Sequence, residues 1–238
     1  MHSYAYAQFP YNLHTRMEIK RDMHILLIGA GYVGISLLSS WENPDDSFSA
    51  TTTTESKREK IRSYQNVNNA LLLKIDRDSN LSEILEDYDA LIITIAPTEG
   101  ATYKKTYFDT SQAIKKSVEG RKKPLFLLYT SSTSVYGKQE GRVVDENTMR
   151  KPTSDNSKIL CDVEDSYLSS SSDYVTGCVL RLGGIYGPDR TFEKRALTLS
   201  GKNLAGNGEE PTNHIHLEDI TKAIEHCVTH RLNGTYNL

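Results

Sequence analysis

Cysteine is scarce in this chain: its 238 residues hold three, Cys161, Cys178 and Cys227. They are odd in number, widely spaced and form no C-x-x-C pair, which argues against a zinc knuckle or a disulfide framework. They read as reduced thiols of a cytoplasmic protein. Long apolar runs are also missing. The longest stretch, around Ile25–Leu38, is broken by three glycines and falls short of the ~20 residues a membrane span needs. Neither sign of charge dominates, since 28 Lys and Arg stand against 31 Asp and Glu. A nucleic-acid partner would ask for a basic excess, so neither nucleic acid nor membrane is expected as a partner. The first 22 residues lack the apolar segment of a signal peptide, and Glu18 and Asp22 offset Arg16, Lys20 and Arg21. They read as a disordered extension, or as residues upstream of a true start at Met17 or Met23.

What is present is an alternation of short apolar runs and helical patterns. His24–Gly29 is a buried strand ending in glycine, followed by a helix over Val33–Trp41. Phe48–Thr54 is a second strand and Ser56–Tyr64 its helix. Leu71–Asp76 is a third strand, followed by a short helix over Leu81–Asp87, and Ala90–Ala96 is a fourth strand. Thr102–Val118 is helical, Pro124–Thr130 a fifth strand, Ser154–Leu168 a helix, Tyr174–Leu182 a sixth strand and Glu218–Thr229 a late helix. Strands buried on both faces with helices between them imply a parallel sheet joined by right-handed crossovers. The expected class is α/β, a doubly wound Rossmann fold that binds ligands at the carboxyl ends of its strands. Residues 23–182 would form the nucleotide-binding part. Residues 183–238 would form a small, reduced substrate lobe whose late helix and strand return to the core.

Gly29, Ala30, Gly31, Tyr32, Val33 and Gly34 spell G-x-G-x-x-G between a strand and a helix. In that context the first glycine makes the turn, the second lets backbone approach a pyrophosphate, and the third lets helix and strand pack closely. The helix N-terminus then offers free N–H groups to the phosphates. Ala96, ending the fourth strand, and Asp76, ending the third, are expected beside the cofactor. A carboxylate gripping an NAD ribose would be expected at the end of the second strand. The sequence there reads Thr53, Thr54, Glu55, Ser56, Lys57, Arg58. Thr54 with Lys57 or Arg58 suits the extra phosphate of NADP, and Glu55 suits NAD; the balance tips to NADP.

Tyr129 to Gly137 (YTSSTSVYG), Arg181 to Pro188 (RLGGIYGP) and Asn213 to Ile220 (NHIHLEDI) follow in that order. Together with the glycine loop they resemble the extended short-chain dehydrogenase/reductases, the NAD-dependent epimerase/dehydratase group. The resemblance implies that Ser132 hydrogen-bonds the reacting oxygen. It implies that Lys158 holds the nicotinamide ribose and acidifies a tyrosine four residues earlier. That position is Ser154, so the chain is similar to a branch lacking the usual phenol. Tyr136 or Tyr186 would then have to supply one from another direction. Thr133 and Ser134 replace the Asp-Glu pair of sugar-nucleotide dehydratases, and Gly184 stands where many epimerases carry asparagine. Arg190, just after Gly187 and Pro188, is placed to contact an anionic substrate, and Tyr186 is expected beside it. By the same resemblance, His214 would contact substrate, Asp145 and Glu146 would approach the pocket, and helices Thr102–Val118 and Ser154–Leu168 would pair two copies in a homodimer. His226 and His230 lie one helical turn apart, but no further ligand completes a metal site.

Two functions are compatible with this reading. One is an NAD(P)-dependent oxidoreductase or epimerase acting on a small hydroxylated or sugar-derived molecule. The other is an NAD(P)-binding sensor or assembly protein with impaired catalysis.

Overall fold

The fold is a computed structural model that describes residues 22–98, 100–203, 208–209 and 211–238. The expected N-terminal extension lies, but for Asp22, outside the described residues. The elements are β1 (His24–Ile28), α1 (Tyr32–Ser40), β2 (Ser47–Thr52), α2 (Glu55–Arg62), β3 (Val67–Leu72), α3 (Ser82–Leu85), β4 (Ala90–Ile93) and α4 (Asp109–Val118). There follow β5 (Leu125–Ser132), α5 (Asp155–Leu168), β6 (Val175–Leu182), β7 (Gly184–Tyr186), α6 (Phe192–Leu199), β8 (His214–His216), α7 (Leu217–His230) and β9 (Gly234–Asn237).

Seven strands form one parallel sheet in the order β3-β2-β1-β4-β5-β6-β9, and β7 pairs with β8 in a separate ribbon. The chain winds outward from β1 through β2 to β3, then crosses back to lay β4 on the other side of β1. At such a reversal the crossover helices leave on opposite faces, and a crevice opens beyond the carboxyl ends of the two strands. The fold is the doubly wound α/β class expected from the sequence.

The pleat of β1 divides its side chains between two cores. Ile25 and Leu27 face α1, α2 and α7, packing with Leu37, Ile61, Ile220 and Ile224. Leu26 and Ile28 face the other side, with Leu85, Ile114, Val163 and Tyr167 from α3, α4 and α5. The central strands are apolar on both faces because both are covered by helices. Cys161, Cys178 and Cys227 are free and buried.

Three local differences from the sequence expectation matter for the site. The third strand spans Val67–Leu72, earlier than the expected Leu71–Asp76. As an edge strand it tolerates the exposed Asn68 and Asn69, which interrupt its apolar pattern, while the apolar run beyond it belongs to the following loop. The helix expected over Thr102–Val118 opens with a π turn over Lys104–Phe108 before α4 begins. Helix α6 was not anticipated; it buries none of its residues and so lacks a strong core-facing stripe.

Candidate active site

The glycine loop joins β1 to α1 at the reversal point. Gly29 has φ +97, and a Cβ there would lie 2.8 Å from the Ile95 side chain. Its amide donates to Thr51 Oγ1 at 3.1 Å, and its carbonyl accepts from Thr94 Oγ1 at 2.8 Å. Threonines from β2 and from the end of β4 thus pin the loop from both sides. A Cβ on Gly34 would sit 2.6 Å from the Gly29 carbonyl oxygen, so helix and strand meet at backbone distance. A Cβ on Gly31 would meet nothing within 4 Å, leaving the backbone bare toward the crevice. Helix α1 has no side-chain cap and no acid in its first turn. Its first amides are therefore available to an anion, at the positive end of the helix dipole. This arrangement fits a dinucleotide diphosphate.

The crevice has two halves. The first, of about 350 Å³, is lined by the glycine loop, Thr51, Thr52, Thr53, Lys57, Lys74 and Ile75, with Lys105 and Thr106 on the opposite wall. Among the described residues no carboxylate lines it. Of the expected residues, Lys57 is in place. Thr54 is instead the exposed N-cap residue of α2, and Arg58 pairs with Glu55 at 2.6 Å. Asp76 does not line this half, because β3 ends at Leu72 and the carboxylate closes its own turn. Its Oδ1 accepts from the Asp78 amide at 3.2 Å and from Ser79 Oγ at 3.0 Å.

The second half, of about 220 Å³, shares Gly31, Thr94, Ile95 and Ala96 with the first, so the two are continuous. It is lined by Tyr32, Tyr107, Thr130, Ser132, Ile185 and Arg190. Ser132 ends β5, and its Oγ accepts the Ser134 amide at 3.2 Å to start a 3-10 turn over Thr133–Tyr136. The Arg190 guanidinium lies 4.1 Å from the Tyr32 ring centre, and the Tyr32 hydroxyl donates to the Pro188 carbonyl. Ser132, Ala96 and Arg190 therefore line the same half of the crevice.

Tyr107 is the residue that sequence reasoning missed here. Its ring is fixed against Tyr103 and Tyr129, at centroid distances of 5.1 and 6.4 Å. Burial, with a smaller contribution from Tyr103, pushes its phenol up to about 12. A π turn at the helix entrance has no simple sequence signature, and such turns recur at functional sites.

Residues 25–238 match the NAD dependent epimerase/dehydratase family. The chain belongs to this family. It is similar to Protein YeeZ of Escherichia coli, 30% identical over 203 residues that cover 84% of this chain and 71% of that protein. In fold it resembles a functionally unknown conserved protein from Silicibacter pomeroyi (24% identity, TM-score 0.68, covering 91% of this chain and 72% of that one). It also resembles a UDP-glucuronic acid 4-epimerase from Bacillus cereus solved with NAD (19% identity, TM-score 0.73, covering 91% and 78%).

Set against the family pattern, other expected residues fall outside the crevice. Ser154 is the N-cap of α5, closed in a reciprocal box with Ser157: each amide donates to the other's hydroxyl at 3.1 Å. Lys158 is exposed and pairs with Asp155 at 3.0 Å, one turn back on the same helix, and it lines neither half of the crevice. Tyr136 is buried. Its hydroxyl accepts from Arg181 Nη1 at 2.6 Å and donates to Asn237 Oδ1 at 2.8 Å. Arg181 in turn is held by the fully buried Glu164, which also accepts from Ser131 Oγ at 2.6 Å.

Tyr186 stacks on Phe192 and His216 (4.7 and 5.0 Å), and His214 meets the Phe192 ring at 4.9 Å and Arg195 at 3.3 Å. Neither lines the crevice. Gly184 has a packing reason, because a Cβ there would lie 2.9 Å from the His214 ring. Glu146 accepts the Asn237 amide at 2.7 Å and Asp145 closes its own turn with Thr148. No helix among the described residues is long and apolar enough to cross a membrane.

Proposed function

We propose that the chain binds NADP(H) in preference to NAD(H), and interconverts a hydroxyl and a carbonyl on a small, hydroxylated or sugar-derived molecule in the cytoplasm. One observation carries this reading. The crevice is continuous from Lys57 and Lys74, past the bare backbone of Gly31, to Ser132. A nicotinamide dinucleotide held along it supplies the hydride acceptor and donor for such a reaction. The residues of the chain do the rest. Gly29, Ala30, Gly31 and the first turn of α1 take the diphosphate. Lys57 and Lys74 face a ribose phosphate with two cations and no opposing acid among the described residues. Ser132 orients the substrate oxygen by a hydrogen bond, and Arg190 offers a cation to an anionic substrate group.

The test is calorimetric titration with NADPH and NADH. NADPH is expected to bind at least about tenfold more tightly, the equivalent of one charge-assisted hydrogen bond. Equal affinities remove the NADP preference, and no binding of either at millimolar concentration removes the whole reading.

A second reading, an NAD(P)-binding sensor or assembly protein with impaired catalysis, draws on Ser154 and Lys158. Ser154, where the resemblance places the family tyrosine, caps α5, and Lys158, where it places the lysine, pairs with Asp155. Binding without turnover across a panel of alcohols and sugars supports it. Turnover that disappears in Ser132→Ala removes it.

A further inference from the structure

We propose that Tyr107 supplies the proton-transferring phenol of this crevice, entering from the turn that precedes α4 rather than from α5. The proposal rests on the dinucleotide reading above. Of the tyrosines among the described residues, Tyr32 and Tyr107 line the half of the crevice that holds Ser132. Tyr32 is committed: its hydroxyl donates to the Pro188 carbonyl and its face carries Arg190. Tyr136 is bound on both sides by Arg181 and Asn237 and lies outside this half. Tyr186 is stacked away from it. Ser154 lacks a phenol, and its hydroxyl is engaged by Ser157. That leaves Tyr107.

The backbone at Tyr107 is a π turn that sets the ring among its neighbours. The π turn over Lys104–Phe108 carries one residue more per turn than an α-helix. It thereby rotates the residues before the turn, Tyr103 among them, by about 100° relative to an unbroken helix, while Tyr107 keeps the face of Ile114. The ring is then clamped between Tyr103 and Tyr129 while still lining the crevice with Ser132. A fixed ring in a half-buried position is what a proton donor or acceptor requires, because its oxygen must hold one place.

The step itself is a proton transfer. The substrate O–H bond breaks as a Tyr107 Oη–H bond forms, and the negative charge passes from phenolate to substrate oxygen. In reverse the phenol returns the proton to an alkoxide. Without a ligand, a phenol is protonated at neutral pH, and burial raises that of Tyr107 further. A positive charge close by favours the phenolate, and an oxidised nicotinamide in this half would provide one.

The experiment needs no substrate. Tyrosinate absorbance is titrated against pH with and without NADP⁺, and NADP⁺ binding is measured separately by calorimetry. With NADP⁺ bound, one tyrosine should ionise at least about one pH unit lower, which corresponds to ~1.4 kcal/mol of differential interaction. The shift should be absent in Tyr107→Phe and retained in Tyr103→Phe and Tyr136→Phe, with NADP⁺ still binding all three variants. NADP⁺ binding without a shift, or a shift that survives in Tyr107→Phe, overturns the assignment of Tyr107 alone. Failure of NADP⁺ to bind the unaltered protein overturns this assignment together with the dinucleotide reading beneath it.

Discussion

The Tyr136 hydroxyl donates to Asn237 Oδ1 at 2.8 Å, tying the turn after β5 to strand β9 across 101 positions of sequence. Arg181 Nη1 donates to the same hydroxyl at 2.6 Å, and Glu164 holds the arginine. Tyr136 thus completes a buried polar network. Removing its oxygen leaves an arginine N–H and an amide oxygen short of a partner. Tyr136→Phe is expected to lose about 1–3 kcal/mol of stability, measured by urea denaturation, and to bind dinucleotide as before. Unchanged stability with lost binding would show that the residue belongs to the crevice after all.

The glycines of the loop separate packing from ligand approach. Gly34→Ala pushes a methyl to 2.6 Å from the Gly29 carbonyl oxygen. It should cost about 1–3 kcal/mol, as overpacking does. Gly31→Val adds a side chain that meets no protein atom near its Cβ, so folding should be close to unchanged while dinucleotide binding is lost. Thermal melts and calorimetric titrations of the two variants should therefore give opposite pictures.

Cofactor preference should follow the lysines of the first half of the crevice. Lys57→Glu, with Lys74→Ala as a second variant, is expected to weaken NADPH binding by about ten- to a hundredfold, the range of one hydrogen bond to a charged group. NADH affinity should move little. Parallel losses for both dinucleotides would locate these lysines on a shared part of the molecule instead of the 2′-phosphate.

Much of this arrangement is legible in the sequence itself. The β1 run and the glycine loop are local patterns, and packing only confirms them. Lys57 and Ser132 sit one turn or one residue from a recognisable boundary, so an error of a residue or two leaves them in place. Asp76 is different. Its placement depended on where an edge strand stops, and Asn68 and Asn69 hide that strand from an apolar count. Lys158 was placed by resemblance, whereas its direction is set by Asp155 one turn away. Tyr107 is hidden in another way: an α-helical count through Thr102–Val118 puts it on the face of Thr110, Ser111 and Ile114, where it reads as core.

Alkaline pH should destabilise the fold in a way that reports the buried phenols. Burial pushes Tyr107 up to about 12 and raises Tyr129 and Tyr167 well above the ordinary value. Once unfolded, each ionises near 10. Between those values the folded state keeps protons that the unfolded state has released. Stability is therefore full below pH ~10 and falls as pH rises through the folded values. Denaturation midpoints between pH 9 and 12 should decline less steeply in Tyr107→Phe than in the unaltered protein. Equal slopes would contradict the burial of this phenol.

Helices α6 and α7 stand only a short way apart in the chain but differ sharply in burial. Helix α7 buries six residues against the layer it shares with α1, while α6 buries none and leaves Phe192 half exposed over Tyr186 and His214. In the language of hydrogen exchange they belong to different opening units. Amides of α7 are released only when the whole molecule opens, whereas those of α6 need little more than a local fluctuation. Exchange in α6 should therefore report local openings, and exchange in α7 the opening of the layer that carries the glycine loop.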